Sequence, residues 1–454
     1  MRYAPVTERL AGLGGAKWEV HMLARRMAAA GEPVIELTIG EPDVPTPPDL
    51  MDAAATAMRA GRTGYSNGRG EPNLTAALAA RYTARRGRTI TRDQIMCFPG
   101  TQTTLFAVLH GLVTAGDEVL IGDPMYATYE GLIRATGATP VPVPLRPEAG
   151  FRMATADAAA RITPRTRLLF LNSPHNPTGA VLTQDDLTAL CQLAKDHDLW
   201  VLCDEVYEDL IFPGTPFTSP LDLPDFAERV IVASSISKSH AAPGFRSGWC
   251  VGPAEFCERL LPFSETMLFG SQPFIADMTA AAVSAPSPIA ADMMARFQRR
   301  ALLIQSALHG VAGLKVHMPQ AGMFALLDIR ATGQSGDAFA RALLTDAKVA
   351  TMPGESFGTA LTAAATTGVA DNDTAAPAAN QVVANFSELS DESLQTRCNM
   401  ELGGERFKRG APRKAMIGFL LDLRKKRDAE RNKKVKGVDG DPDGWTPPEF
   451  GPNE

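Results

Sequence analysis

The sequence is poor in the residue patterns that form metal sites and disulfide frameworks. Its six cysteines are scattered without a Cys-x-x-Cys pair, and its seven histidines are dispersed along the chain. Because zinc sites use cysteines and histidines at short spacings, we expect no bound metal. Scattered cysteines also favour a reducing compartment, so the predicted location is the cytoplasm.

Long apolar runs and a strong net charge are also missing. A membrane helix needs about 18 or more apolar residues in a row. The chain has no such run, and residues 1–9 lack the apolar core of a secretory signal. The net charge of −6 does not suit a protein that binds nucleic acid through its overall charge. We interpret the basic run at 424–436 as a solvated helix face, with RNA binding as the less favoured alternative.

Apolar patterning divides the 454-residue chain into a large α/β unit, a smaller α+β unit and a tail. Across residues 46–275, short apolar strands alternate with helical patterns, which predicts a mainly parallel sheet with helices on both faces. Residues 1–45 and 276–360 are assigned to the small domain. Residues 361–454 lack usable periodicity and end in an Asp-, Gly- and Pro-rich stretch. They are predicted to form a divergent, partly disordered tail.

Hydrophobic periodicity places the individual elements. In the large unit it predicts helices at 49–60, 71–86, 102–115, 126–136 and 184–198, and strands at 118–121, 167–171, 200–203 and 230–233. In the small unit it predicts helices at 289–309 and 337–346, and strands at 323–329 and 347–351. Asn172, Asp204 and Ser234 each directly follow a predicted strand. Ligands of parallel sheets bind beyond the carboxyl ends of the strands, so these positions mark the expected site.

A lysine among small hydroxyl residues is the most informative chemical feature. Lys238 stands in the run Ser235-Ile236-Ser237-Lys238-Ser239, and Arg246 follows in a Gly-x-Arg-x-Gly context. An amine that can trap a carbonyl, close to a cation that can bind an anion, is what pyridoxal 5'-phosphate (PLP) requires. Taken alone, the run fits a surface lysine in a serine-rich loop equally well.

Two residues that follow the predicted strand at 200–203 fit the ring of PLP. Asp204 closes the apolar strand at 200–203, where a carboxylate screened from water can pair with a protonated pyridine nitrogen and keep the ring an electron sink. Tyr207 follows three residues later and can present its phenol to the 3-oxygen of the ring. The alternative for Asp204 is a helix N-cap, which is common for such residues.

Turn segments supply the other candidate contacts. Asn176 lies in the turn at 172–179, where its amide can bond the same 3-oxygen, although an ordinary loop is the alternative. Gly100, Thr101 and Gln102 open a helix after a strand. The backbone N–H groups of such a helix start can bind phosphate, unless the segment is simply a capped helix. Tyr126 can stack on the ring, or be only a half-buried tyrosine.

The order of these residues resembles the class I aminotransferases of PLP fold type I. The resemblance rests on Asn-Pro-x-Gly at 176–179, Asp-Glu-Val-Tyr at 204–207, Ser-x-Ser-Lys at 235–238 and Gly-x-Arg-x-Gly at 244–248. It covers residues 1–360, which is most of the chain. Within the family, the segments 171–179 and 237–241 look most similar to those of arginine–pyruvate transaminases, with aspartate and aromatic transaminases also close.

The resemblance implies a mostly parallel seven-stranded sheet beside a smaller α+β domain, and transfer of an amino group from an L-amino acid to a 2-oxo acid by a ping-pong mechanism. It implies that Lys238 holds PLP as a Schiff base and then acts as the proton-transferring base. Asp204 would pair with the pyridine nitrogen, Tyr207 and Asn176 would bond the 3-oxygen, and Tyr126 would stack on the ring.

The resemblance also implies a phosphate site and a shared homodimer. Ser235, Arg246 and the amides of Gly100–Gln102 would hold the phosphate. Tyr65 matches the family tyrosine that reaches the phosphate of the neighbouring subunit, which would make the dimer part of each active site. Gly40 matches the glycine beside the substrate carboxylate, where Asn176 also binds.

The chain departs from the family in one place. Members carry a Gly-x-x-Arg-aliphatic strand soon after the segment that resembles 353–358, and its arginine binds the substrate α-carboxylate as a bidentate pair. Here no such strand is predicted after Gly358, and Arg397, Arg406 and Arg413 lie in other contexts. We therefore expect weakened substrate binding, because a buried carboxylate would lose its partner.

Two other functions are compatible with the same residues. A PLP-dependent lyase or decarboxylase would use the same cofactor contacts, and would release ammonia or CO2 where an aminotransferase exchanges keto acids. A PLP-binding protein that lost turnover through the altered tail is the second alternative.

Overall fold

A computed structural model describes residues 1–13, 15–358 and 381–385 of the chain. Its strands are β1 Ile35–Glu36, β2 Ile95–Phe98, β3 Glu118–Asp123, β4 Thr139–Pro144, β5 Thr166–Asn172, β6 Trp200–Asp204, β7 Val230–Ser235, β8 Gly248–Val251, β9 Lys315–His317, β10 Phe324–Asp328, β11 Val349–Ala350, β12 Met352–Pro353 and β13 Gln381–Asn385. Its α-helices are α1 Pro5–Leu10, α2 Glu19–Ala29, α3 Pro48–Arg59, α4 Pro72–Arg86, α5 Gly100–Leu112, α6 Tyr129–Thr136, α7 Thr155–Ala159, α8 Gln184–Asp196, α9 Ile236–Ser239, α10 Ala254–Leu268, α11 Pro273–Val283, α12 Pro288–Leu308 and α13 Gly336–Ala347.

Seven strands form the central sheet in the order β2-β8-β7-β6-β5-β3-β4. The strands from β7 across to β4 run parallel, and β8 pairs antiparallel with both β7 and β2. Alternate residues of β5 contribute to two hydrophobic cores, with Leu169 and Leu171 in one and Leu168 and Phe170 in the other. A strand that is apolar on both faces needs cover on both sides of the sheet. The predicted mostly parallel seven-stranded sheet is confirmed.

The carboxyl ends of β5, β6 and β7 bring polar residues together. Asn172 at the end of β5 is the register partner of Asp204 at the end of β6, and Asp204 is the register partner of Ala233 in β7. The short helix α9, which carries Lys238, begins directly after β7. Parallel pairing therefore gathers residues that lie far apart in the sequence at one edge of the sheet.

Two small sheets lie outside the central one. β1 pairs in parallel with β11, and β9, β10, β12 and β13 form a four-stranded sheet in the order β12-β13-β10-β9. The two-stranded sheet links the segment before residue 45 to the segment after residue 276, which form the predicted small unit. Among the described residues, no helix is both long and apolar enough to cross a membrane.

Strand β13 corrects the sequence-based expectation for the tail. No Gly-x-x-Arg-aliphatic strand was expected after Gly358, and residues 361–454 were assigned to a separate tail. The structure instead inserts β13 between β10 and β12, antiparallel to both, with Val382 fully buried. Five residues carry too little pattern to reveal a strand, whereas two neighbouring strands satisfy its backbone groups. The rest of the predicted tail lies outside the described residues.

Replacing Val382 with Asp tests whether β13 is part of the folded core. The change buries a carboxylate beside β10 and β12, so we expect Val382→Asp to destabilise the protein by about 3 kcal/mol or more. Val382→Ala keeps the site apolar and should cost less. The measurement is the midpoint of urea unfolding for both variants. An unchanged midpoint in Val382→Asp would show that β13 contributes nothing to the sheet.

Candidate active site

A cavity of about 250 Å³ opens where the central sheet faces the four-stranded sheet. On one side it is lined by Asn176, Asp204 and Lys238, which follow or end β5, β6 and β7. On the other side it is lined by Phe324 of β10 and Met352 of β12. The predicted contacts Gly40, Thr101, Gln102, Tyr126, Asn176, Asp204, Tyr207, Lys238 and Arg246 all line this single cavity.

The amine of Lys238 enters the cavity from α9. The Ser235 hydroxyl caps this helix by accepting a hydrogen bond from the Ser237 N–H at 3.2 Å. The Nζ of Lys238 donates a hydrogen bond to the carbonyl oxygen of Gly40. Burial lowers the pKa of Lys238 to about 8, even though the charge of Glu41 acts in the opposite direction. A substantial fraction of this amine is therefore neutral near pH 8, which a nucleophile or proton acceptor requires.

The carboxylate of Asp204 is almost fully buried at the end of β6. Its Oδ2 accepts a hydrogen bond from the Tyr129 hydroxyl at 2.8 Å, and its Oδ1 accepts one from the Val206 N–H at 3.0 Å. Burial raises the pKa of Asp204 to about 6, while these two donors stabilise the ionised form. The result is a carboxylate that is held in place, ionised at neutral pH and able to accept a proton or a cationic partner.

Tyr129 is a functional residue that sequence reasoning missed. It is fully buried, and burial followed by the charge of Asp204 raises its pKa well above the ordinary value, so it remains a hydrogen-bond donor. Its spacing three residues after Tyr126 was a usable signal, because a turn closed by the Tyr129 N–H and the Tyr126 carbonyl at 3.0 Å places both residues at the same cavity.

Tyr207 and Asn176 form a pair on the same side of the cavity. Both are buried, and the Asn176 side chain opposes the rise that burial causes in the pKa of the Tyr207 phenol. Among the described residues, the Oδ1 of Asn176 has no hydrogen-bond partner although it is buried. The ring of Tyr207 packs edge-on against Phe324 with centroids 5.6 Å apart, which fixes the position of the phenol. An orphaned polar atom in such a place indicates that a bound molecule completes the hydrogen bond.

The start of α5 forms a cradle with Arg246. A Cβ atom at Gly100 would lie 2.3 Å from Nη2 of Arg246, so only glycine lets the guanidinium lie against this backbone, which also has φ +82°. The Oγ1 of Thr101 is buried and has no partner among the described residues. Backbone N–H groups, a free hydroxyl and a guanidinium together form an anion site.

Three of the predicted contacts are arranged differently from the others. Ser235 lies beneath the cavity and its hydroxyl caps α9. The side chain of Gln102 accepts a hydrogen bond from Thr128 at 3.1 Å, so its backbone is the part that remains for a ligand. Tyr65 is 90% exposed and packs on Phe269 with ring centroids 5.3 Å apart. Within one subunit Tyr65 is not part of the cavity.

These observations fit PLP. Asp204 suits the ring nitrogen, the orphaned Oδ1 of Asn176 with Tyr207 suits the polar edge of the ring, and the cradle at Gly100 suits the phosphate. No group of three or more potential metal ligands occurs among the described residues.

The comparisons with known proteins point to the same chemistry. Residues 32–372 match the family model described as aminotransferase class I and II. The chain belongs to the class I and II aminotransferase family. It is similar to the arginine–pyruvate transaminase of Pseudomonas aeruginosa, at 43% identity over 79% of this chain and 91% of that protein. It is also similar to the aspartate/prephenate aminotransferase of Cereibacter sphaeroides, at 34% identity over 74% of this chain and 87% of that protein.

Solved structures agree with this family assignment. An aspartate aminotransferase of Thermus thermophilus superposes with a TM-score of 0.77 at 28% identity, covering 88% of this chain and 98% of that one. The chain is therefore a PLP-dependent aminotransferase, as its sequence motifs predicted.

The turn that carries Asp204 and Tyr207 is fixed to α4 on its far side. Glu205 and Glu208 are buried, and Nη2 of Arg86 lies 3.3 and 3.0 Å from their carboxylate oxygens. Burial raises the pKa of Glu205, while Arg86 counteracts this shift. A buried carboxylate retains its charge only with such a partner. The arginine therefore positions the turn from behind, although it does not touch the cavity.

Removing the Tyr129 hydroxyl should shift the pH dependence of cofactor binding. The hydroxyl stabilises the Asp204 carboxylate, so in Tyr129→Phe the pKa of Asp204 should rise above its value of about 6. The protonated ring of PLP would pair with the ionised carboxylate, so affinity should fall as pH drops through this pKa. Since a hydrogen bond to a charged group is worth about 1.5–3 kcal/mol, we expect the fall to occur about one to two pH units higher in the variant.

The measurement is fluorescence titration of the apo-protein with PLP between pH 5 and 8. Tyr82→Phe is a matched control, because Tyr82 is also a buried, hydrogen-bonded tyrosine but lies outside the cavity. It should leave the pH dependence unchanged. Identical pH profiles for Tyr129→Phe and the wild type would contradict the role assigned to this hydrogen bond.

Replacing Arg86 should destabilise the protein more than replacing its neighbour Arg85. In Arg86→Met, Glu205 stays buried without its cation, while Glu208 keeps its ion pairs with Arg81 and Arg85. Breaking a buried pair of this kind costs about 3–5 kcal/mol. Arg85 is 30% exposed, so Arg85→Met should cost less. The unfolding midpoints of both variants in urea provide the test, and equal midpoints would refute it.

Proposed function

We propose that the cavity is the active site in which this aminotransferase moves an amino group from an L-amino acid to a 2-oxo acid. The observation that carries the proposal is that the amine of Lys238, with its lowered pKa, and the buried carboxylate of Asp204 line one cavity next to an anion cradle. When bound, PLP supplies a carbonyl that condenses with amines and a ring that withdraws electrons from the bond to be broken.

The chain's own residues would handle the protons. Lys238 would hold PLP covalently until a substrate amine replaces it, and its neutral amine would then take the proton from the substrate Cα and return it at the next step. Asp204, held by Tyr129, would keep the proton on the ring nitrogen. Tyr207 and Asn176 would hold the 3-oxygen. These assignments are supported by the burial of Asp204, Tyr207 and Asn176 and by their positions in one cavity.

The remaining contacts would orient the cofactor and substrate. The backbone of Gly100–Gln102, the Thr101 hydroxyl and Arg246 would bind the phosphate, and Tyr126 would stack on the ring. Gly40 lines the cavity and its carbonyl accepts a hydrogen bond from Lys238, so this glycine would lie beside the incoming substrate.

The lyase and the turnover-free alternatives remain distinguishable by experiment, and no observation favours either. Arg397, Arg406 and Arg413, which the sequence offers as carboxylate partners, lie outside the described residues. Weakened substrate binding through the altered C-terminal segment therefore stays a prediction.

We also propose a homodimer with shared active sites. Tyr65 and Phe269 are exposed aromatic side chains that pack on each other beside Gly270. Exposed aromatic residues of this kind are typical of subunit interfaces. The five described cysteines are all buried and free, which supports a reducing, cytoplasmic location. We further propose that residues 46–275 form the cofactor domain, and that 1–45 and 276–360, with β13, form the small domain.

Reduction with borohydride tests the role of Lys238. In the wild-type holoprotein the reagent should fix the cofactor on the peptide that contains Lys238, as seen by mass spectrometry. Lys238→Ala should abolish this label and lower the rate of conversion of the cofactor by amino acids about 10³-fold or more, because the proton-transferring group is lost. The exposed Lys315→Ala serves as the control and should retain both. Labelling of any other lysine would rule out the proposed site.

A further inference from the structure

The cavity has a charged half and an uncharged half. Asp204, Lys238 and Arg246 all lie on the side formed by the central sheet and its following segments. The opposite wall is formed by Trp18, by residues 37–40, and by residues of β10, β12 and the segment that ends at Phe357. Its apolar members are Trp18, Leu37, Ile39, Phe324, Met352 and Phe357.

The two other members of this wall carry no free charge or hydroxyl. The Thr38 hydroxyl is bound to Oε1 of Glu36 at 3.0 Å and to Nδ1 of His21 at 2.8 Å. The Gly40 carbonyl accepts the hydrogen bond from Lys238. Within the described part of the chain, the wall therefore offers no ionic partner to a substrate side chain.

The residues of the wall pack against each other and against their neighbours. A Cβ atom at Gly40 would lie 3.0 Å from the ring of Phe324, so this ring rests directly on the Gly40 backbone. Phe324 also packs edge-on against Tyr207, and Trp18 packs edge-on against His21 with centroids 5.8 Å apart. Met352 and Phe357 are buried. Such a surface favours an apolar side chain and leaves a charged one desolvated and unpaired.

We infer that the amino donor has an uncharged, apolar side chain of the aliphatic or aromatic class. This inference rests on the proposed function, because it assumes that the cavity binds an amino acid. The inferred donor differs from arginine, the substrate in the name of the Pseudomonas aeruginosa relative. The guanidinium of arginine would need an acidic partner. The charge of Glu41, which follows Gly40, acts on the amine of Lys238, but Glu41 is exposed and does not line the cavity.

A half-reaction screen of the wild-type holoprotein tests the inference. Leucine, methionine and phenylalanine are compared with arginine, lysine and aspartate at equal concentrations, and conversion of the cofactor is followed by absorbance. We expect the apolar group to react at least 100-fold faster per unit concentration. Faster reaction of arginine, lysine or aspartate would overturn the inference while leaving the aminotransferase intact. No reaction with any amino acid, in protein that borohydride still labels at Lys238, would overturn the proposed function and the inference with it.

Substitutions in the wall test whether it sets the preference. Trp18 and Ile39 are only partly buried, so changes there should be compatible with folding. Trp18→Glu should accelerate the reaction with arginine at least tenfold relative to Trp18→Gln, which has nearly the same size and polarity but no charge. Ile39→Glu and Ile39→Gln form a second matched pair with the same expected result. If neither glutamate variant differs from its glutamine control, the wall does not select the substrate.

Discussion

The buried carboxylate of Asp204 is the constraint on which the site depends. A carboxylate at this depth would be protonated without compensation, and β6 places it where two donors meet it, one from the backbone and one from Tyr129. These donors keep it available to a cationic group, and they fix its position relative to the amine of Lys238 in the same cavity. The parallel register of β5, β6 and β7 makes this possible, because three strand ends reach the same edge.

The turn after β6 works in two directions. Its residues at 204 and 207 face the cavity, while those at 205 and 208 face the arginines of α4. This alternation of residues along the turn separates the ligand-binding cavity from a buried cluster of ion pairs that is fixed in position. The ion pairs of residues 205 and 208 therefore help to hold residues 204 and 207 in position at the cavity. A short turn bound on one side has little conformational freedom on the other.

Much of the fold and of the cofactor site followed from the sequence. Long helices such as α3, α4, α8 and α12 and the apolar strands β5 and β6 were predicted within a few residues, because each has a strong period and clear ends. Most of the residues that line the cavity were recognisable because they lie in short motifs. Strand β4 was missed since its three prolines resemble a loop, and it is tolerated as a strand because it lies at the sheet edge. Tyr129 and Arg86 were missed for a different reason: their roles depend on partners about 75 and 119 residues away.

The two halves of the cavity differ in how readily they can change during evolution. At the cradle, Gly100 lies against the guanidinium of Arg246, and Gly248 lies so close to Gly100 that an added Cβ would be 2.5 Å from its carbonyl carbon. Because the backbones lie in direct contact there, even the smallest side chain added at either glycine would clash. The opposite wall consists of ordinary side chains that can be exchanged one at a time. Proteins that share this fold can therefore change their amino donors gradually, while the PLP cofactor stays the same.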